Sequence, residues 1–298
     1  MIFVIGEVLF DIFPTYKRIG GAPFNFAFHM KQMGFPVNFI TRVGDDANGR
    51  EILDIMKEYG FVLKNVQVDP GRETGKVMVN LDDDGVPTFD IRQDVAYDHI
   101  AYTDVMDRML RSRPMMIYVG TLVQRSEKSR QAVRDVMQAK PSKVPLFYDV
   151  NLRPGCYTGE AVQSTLNATD ILKINDEELT VLADMFGFSG PAHRIVKGFM
   201  KQWGLTMVAL TKGSAGSELF TPDGYASTNV PDRNDVVDTV GAGDAFAAVL
   251  AAGYLQNRSL DAILSAATDF AAQMCTVQGA VPQDPGIYNT LKEGLLSP

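Results

Sequence analysis

Short apolar runs alternate with segments of helical spacing over most of the chain. Residues 2–6 are an apolar run that predicts a strand, and 24–33 reads as a helix stopped by Gly34. Residues 35–43 predict another strand, closed by Gly44, Asp45 and Asp46. Residues 47–59 then place Ile52, Ile55, Met56 and Tyr59 at helical spacing before Gly60. After residue 100 the alternation resumes, with strands predicted at 115–119, 145–149, 170–174 and 206–210 and helices at 127–139, 160–167, 176–186 and 191–203. Two Ala-rich helices, about 242–256 and 260–276, close the pattern. Strand–helix–strand alternation marks βαβ units, so the chain is expected to be α/β, with a doubly wound, mostly parallel sheet.

Two stretches depart from this rhythm. Residues 8–20 are β-rich, and within 73–94 the apolar runs 76–81 and 86–92 flank Asp82, Asp83, Asp84 and Gly85, which predicts a β-hairpin with an Asp-Gly turn. The aspartate run lacks the spacing and terminal Glu of a calcium loop, so a turn explains it better than a metal. Segments 8–20 and 73–94 are expected to form a small β-sheet lid on a single domain spanning 1–298. A second hairpin is predicted where 216–220 and 225–230 flank Asp223-Gly224.

Composition narrows the partners. A chain with 46% hydrophobic and 21% charged residues is globular rather than disordered, and 298 residues suffice for one large α/β domain. The formal net charge of -8 disfavours nucleic acid and anionic membranes, which need a basic footprint. Any bound phosphate must therefore meet positive potential built locally, from backbone N–H groups, a metal ion or a few placed side chains. Cys156 and Cys275 lie far apart and outside metal-ligand spacing, as expected of thiols in a reducing compartment. The N-terminus opens straight into a strand, which argues against a signal peptide, and the most apolar stretch, 245–255, is too short to span a bilayer. The expectation is a cytoplasmic protein. His29, His99 and His193 stand in no ligand spacing.

The segment Asp238-Thr239-Val240-Gly241-Ala242-Gly243-Asp244-Ala245-Phe246 carries the most chemistry. Two glycines one residue apart lead into an Ala-rich helix, whose N-terminal N–H groups and dipole favour an anion. The loop reads as a phosphate cradle, distinct from the loop that ends in Gly-Lys-Ser/Thr and from the dinucleotide fingerprint. A carboxylate beside bound phosphates needs a reason: Asp244 is either a proton acceptor for an attacking hydroxyl or an ordinary first-turn acid.

This segment closely resembles the C-terminal signature of the ribokinase-like, or PfkB, carbohydrate kinases. Further matches follow the family's order: Gly6 to Asp11 with Gly20-Gly21-Ala22-Pro23-Phe24-Asn25, Asp149 to Pro154, Lys173 to Glu178, and Thr211 to Gly216. The resemblance implies a kinase that moves the γ-phosphate of ATP to a sugar hydroxyl. It implies Asp244 as base, Gly241, Ala242 and Gly243 as anion hole, and Arg153 facing substrate or the transferring phosphate. Asp11, Gly20, Gly21 and Asn25 are expected to bind the sugar, with Phe89, Arg92 and Tyr97 where family lids contact it. Asn175, Thr211, Gly213, Gly216, Gly241 and Gly243 are expected at the nucleotide. Asn175 and Glu178 are expected to position Mg²⁺, Glu178 through water. The helix N-terminus is expected to keep Asp244 ionised and a weak base. A monovalent cation such as K⁺ is expected on backbone carbonyls near Asp238 and Val240, with Gly279 opposite, and a homodimer through the lid. The wording of the N-terminal motifs is closest to fructokinases, although 90–98 departs from it; ribose, 2-keto-3-deoxygluconate and a nucleoside are the alternative substrates. A non-catalytic sugar or nucleotide sensor on the same fold would be expected to lose Asp244 or its glycines, and this chain keeps them.

Overall fold

The computed structural model describes residues 1–81, 87–231 and 235–297. Its strands are β1 (Ile2–Ile5), β2 (Leu9–Ile12), β3 (Lys17–Gly20), β4 (Val37–Gly44), β5 (Val66–Asp69), β6 (Gly75–Leu81), β7 (Pro87–Ile91) and β8 (Met116–Gly120), then β9 (Leu146–Asp149), β10 (Ile171–Asn175), β11 (Met207–Thr211), β12 (Ser217–Phe220) and β13 (Tyr225–Thr228). The helices are α1 (Ala22–Gln32), α2 (Ala47–Glu58), α3 (Asp104–Arg111), α4 (Glu127–Ala139) and α5 (Gly159–Leu166), then α6 (Asp176–Phe186), α7 (Ala192–Trp203), α8 (Ala242–Leu255), α9 (Leu260–Met274) and α10 (Asn289–Glu293). The Asp-Gly turn expected at 82–85 lies outside the described residues.

Nine strands form one sheet in the order β13-β12-β11-β10-β9-β8-β1-β4-β5. From β11 to β5 all neighbours are parallel, and the hairpin β12–β13 adds an antiparallel edge. The strand sequences explain how both faces are covered. In β1, Ile2 and Val4 enter one core while Phe3 and Ile5 enter the other, the period of two that a pleated strand imposes. All four are buried, so the run reads as continuously apolar, as strands buried on both faces do. Helices α1, α2, α8, α9 and α10 cover the first face, and α3 to α7 the second.

The smaller sheet has the order β3-β2-β6-β7. Its central pair, β2 and β6, is parallel, with Leu9 opposite Gly75 and Ile12 opposite Met78. Asp46 anchors it to the main body. The carboxylate caps α2 through Gly49 N (2.7 Å) and accepts from Thr74 N (2.8 Å) and Thr74 Oγ1 (2.7 Å), just before β6 starts. Among the described residues no helix is long and apolar enough to cross a membrane.

The chain extends the large sheet from β1 to β4 and β5, then returns to the other side of β1 for β8, β9, β10 and β11. Strand order therefore reverses at β1. In open α/β sheets the crevice outside the carboxyl ends at such a reversal is where ligands bind.

Candidate active site

A cavity of about 940 Å³ lies at that crevice. Glu7 follows β1, Arg153 follows β9, and Asn175 and Thr211 end β10 and β11. The smaller sheet and the start of α1 supply Asp11, Arg18, Gly21 and Asn25 to the same cavity, and the first turn of α8 with its preceding loop supplies Val240, Gly241, Gly243 and Asp244.

Local geometry at α8 depends on Gly241. It is the N-cap, at φ +82°, a left-handed conformation that costs other residues about 1–2 kcal/mol, and a Cβ there would overlap Ala280. Helix geometry leaves the N–H groups of Gly243 and Asp244 without an intrahelical acceptor, while Ala242 N–H turns back to the Thr239 carbonyl at 3.3 Å. Gly21 allows a similar close approach beside β1: at φ +107° its missing Cβ would stand 2.7 Å from the Glu7 carbonyl oxygen.

Asp244 sits in the first turn of α8 and is 9% exposed. Asn25 Nδ2 donates to its Oδ2 at 2.8 Å, which leaves Oδ1 for another partner. Burial, and then the neighbouring Asp149, push its pKa up to about 6 against the Asn25 hydrogen bond and the Lys173 and Arg153 charges. This corrects the expectation that the helix N-terminus keeps Asp244 a weak base: the dipole effect is at most a fraction of what desolvation of a buried carboxylate costs.

Beneath the cradle lies a buried charged group. Lys173 Nζ bonds Asp149 Oδ1 at 3.0 Å, and Tyr118 OH donates to Asp149 Oδ2 at 3.3 Å. Burial disfavours the ammonium, yet the carboxylates of Asp149, Glu178 and Asp244 hold its pKa above the ordinary value. Its Nζ lies 3.2 Å from where a Cβ on Gly243 would stand, so a cation underlies the first turn of α8. Sequence reading assigned no role to Lys173, and none to Glu7. Glu7 is 3% exposed, lines the cavity and has no hydrogen-bond partner for Oε2. Burial drives its pKa up to about 7, with Asp244 adding to the rise against the Glu7 backbone amide, Arg153 and Arg125. Its only trace in sequence is an acid placed between the apolar run of β1 and Val8-Leu9.

The other expected site residues divide. Asp11 lines the cavity, its pKa raised to about 6 by burial despite Arg153 and Arg18. Gly20 stands behind it, its Cβ position 2.8 Å from Asp11 Oδ2. Arg153 is exposed at the cavity rim. Gly213 and Gly216 do not line the cavity; they shape the turn between β11 and β12. Arg92 does not line it either. It is exposed, and its carbonyl accepts from Arg125 Nη2 at 2.6 Å. Tyr97 is fully buried beneath the Arg125 guanidinium, 4.9 Å from its ring centre, so it packs the base of the smaller sheet instead of facing a ligand. Leu9, Val77, Ile91 and Gln93 line the cavity on the side of the smaller sheet. The Phe89 side chain lies outside the described residues.

Asn175 and Glu178 form a capping box at the start of α6: Glu178 N donates to Asn175 Oδ1 (2.7 Å) and Asn175 N to Glu178 Oε2 (2.9 Å). Glu178 Oε1 accepts from Leu152 N at 2.9 Å. Each carboxylate oxygen keeps a lone pair, and burial raises the Glu178 pKa in spite of Lys173. Such a group fits a hydrated divalent cation reached through water. K⁺ is expected on backbone carbonyls near Asp238, Val240 and Gly279, and a side-chain cation already stands against this loop. Asp238 Oδ2 accepts from Arg18 Nη1 (2.9 Å) and Gly279 N (3.0 Å), and Oδ1 accepts from Val240 N (3.0 Å). A second cation on this carboxylate would face the guanidinium, and like charges about 4 Å apart near a protein surface repel by roughly 4 kcal/mol.

Residues 7–285 match the pfkB family carbohydrate kinase. Fructokinase-1 of Oryza sativa subsp. japonica is 28% identical over 98% of this chain and 97% of its own length. The fold superimposes on the crystal structure of the uncharacterized sugar kinase PH1459 from Pyrococcus horikoshii in complex with ATP, with a TM-score of 0.81 at 24% identity over 94% of each chain. It also superimposes on a fructokinase with bound ATP from Xylella fastidiosa, with a TM-score of 0.82 at 21% identity over 98% of each chain. The chain belongs to the pfkB family of carbohydrate kinases.

Proposed function

We propose that this protein transfers the γ-phosphate of ATP to a hydroxyl of a small sugar, with fructose as the first candidate, and that Asp244 is the base. The observation that carries the reading is Asp244 itself. It is a buried carboxylate with a raised pKa, on the first turn of a helix whose free N–H groups open into the same cavity as Asp11 and Asn25. Phosphoryl transfer needs alignment and charge stabilisation more than covalent chemistry. Gly243 and Asp244 N–H groups and Lys173 Nζ supply positive potential on one side, and Arg153 at the rim on the other. Asn25 fixes the orientation of Asp244 and leaves Oδ1 to take the hydroxyl proton. With its pKa raised to about 6, Asp244 is ionised at neutral pH yet a better base than an ordinary aspartate.

Asn175 and Glu178 would hold Mg²⁺ through water; when bound, the ion neutralises charge on the phosphate oxygens. The smaller sheet serves as a lid over one domain, with Leu9, Val77 and Ile91 excluding water from the sugar side. Fructose is favoured by the names of the relatives and by the N-terminal motif wording. The test is ADP release with ATP and Mg²⁺ across fructose, ribose, 2-keto-3-deoxygluconate and nucleosides. The reading expects one of these to raise ADP formation far above the rate without acceptor; no stimulation by any of them would sink it.

A further inference from the structure

The contact between Arg18 and Asp238 joins the two halves of the cavity wall. Arg18 lies on β3 of the smaller sheet, and Asp238 opens the loop that becomes the phosphate cradle. The guanidinium is held in place by its own hairpin. Phe13 and Tyr16, at the β2–β3 turn, stack with ring centres 4.4 Å apart, and the Arg18 guanidinium lies 4.6 Å from the Tyr16 ring centre and 5.5 Å from that of Phe13. From there Nη1 reaches Asp238 Oδ2 at 2.9 Å. Both partners are about four-fifths buried, at 21% and 19% side-chain exposure. The same carboxylate collects Val240 N and Gly279 N, one from each of the two loops that flank Gly241. Asp238 is therefore a junction of three donors and one charge, all of its strong hydrogen bonds made within the chain.

We infer that the Arg18 guanidinium occupies the place of a monovalent cation beside the phosphate cradle, so that a side chain of the smaller sheet, and not a bound ion, orders this loop. A guanidinium stacked on two rings is pre-organised, and it brings a fixed charge that no change of salt removes. Two consequences follow. The loop is indifferent to the identity of the monovalent cation in solution, and its order depends on where the smaller sheet sits.

The test compares K⁺ with tetramethylammonium at equal ionic strength, for the wild type, Arg18→Ala and Arg18→Lys. Melting temperature and thallium(I) NMR are read on the purified chain, so neither depends on the sugar-kinase reading; turnover, which does, is a third readout. The wild type is expected to melt alike in both salts and to show no bound thallium line. Arg18→Ala vacates the carboxylate, and K⁺ is expected to raise its melting temperature by about 2–4 °C and thallium to bind it. Arg18→Lys keeps a charge in place and is expected to follow the wild type. A wild type that binds thallium or is stabilised by K⁺ overturns the inference, as does an Arg18→Ala protein that ignores K⁺. If Arg18→Ala fails to fold, the wild-type thallium measurement still decides.

Discussion

Three carboxylates that meet in this cavity, Glu7, Asp11 and Asp244, have pKa values raised to about 7, 6 and 6, chiefly by burial. For a base that acts when ionised, turnover should rise through about pH 6 and level off above it, and a pH–rate profile measures this directly. Glu7 offers a separate stability test. Its pKa is raised from 4.5 to about 7 on folding, so the folded chain holds the proton more tightly across that window. The stability this confers is complete below 4.5 and is lost as pH rises through about 7. Glu7→Gln removes the titration: thermal melts should show it gaining on the wild type at about pH 8 relative to about pH 5. An equal difference at both values would mean that Glu7 is not the uncompensated charge its geometry describes. Asp244 was legible because a carboxylate beside two glycines at a helix start is chemically odd. Glu7 was not, since an acid between two strands looks the same in sequence whether water or a cavity receives it. Tyr97 shows the reverse error, a residue near the right loop whose ring is packed beneath Arg125.

At the scale of elements, the N-terminal end of α8 rests on Gly241. Gly241→Ala forces a left-handed backbone and an overlap with Ala280, so the denaturant midpoint should fall by the equivalent of about 1–2 kcal/mol or more, with activity lost as the loop moves off Ala280. A variant as stable and active as the wild type would show that the loop adopts another shape. The helices α4 and α6 appear over the residues that periodicity predicts, Glu127–Ala139 and Asp176–Phe186, because Ser126 and Asn175 cap them and their apolar stripes are regular. Strand β5 gave no such signal. In β5 only Val66 and Val68 alternate, and the strand takes its register from β4, with Thr41 opposite Val66. It takes its place from β4 and not from its own sequence, so local pattern could not reveal it. Helix α3 did carry a signal that sequence reading passed over: Thr103 caps it, and Met106 and Leu110, four apart, form its buried stripe.

At the scale of the whole molecule, the order of strands in the smaller sheet was the least legible feature. The parallel pairing of β2 with β6 joins segments on either side of α1, β4, α2 and β5, and no local pattern encodes it. That pairing brings Asp11 and Arg18 over the carboxyl ends of the large sheet. The sheet leaves β3 and β7 as edges and exposes Tyr16 and Met78, features that a second copy would cover. Sedimentation equilibrium should therefore report a homodimer at micromolar concentration, and a monomer throughout would remove the lid-to-lid arrangement. The central claim, that this cavity is a sugar-kinase site with Asp244 as its base, is tested most directly by the turnover of Asp244→Asn. Asparagine keeps the size and the place beside Asn25 but accepts no proton. The account predicts a folded protein that still binds ATP and turns over sugar about 10²–10⁴-fold more slowly than the wild type; a folded Asp244→Asn protein with wild-type turnover would contradict it.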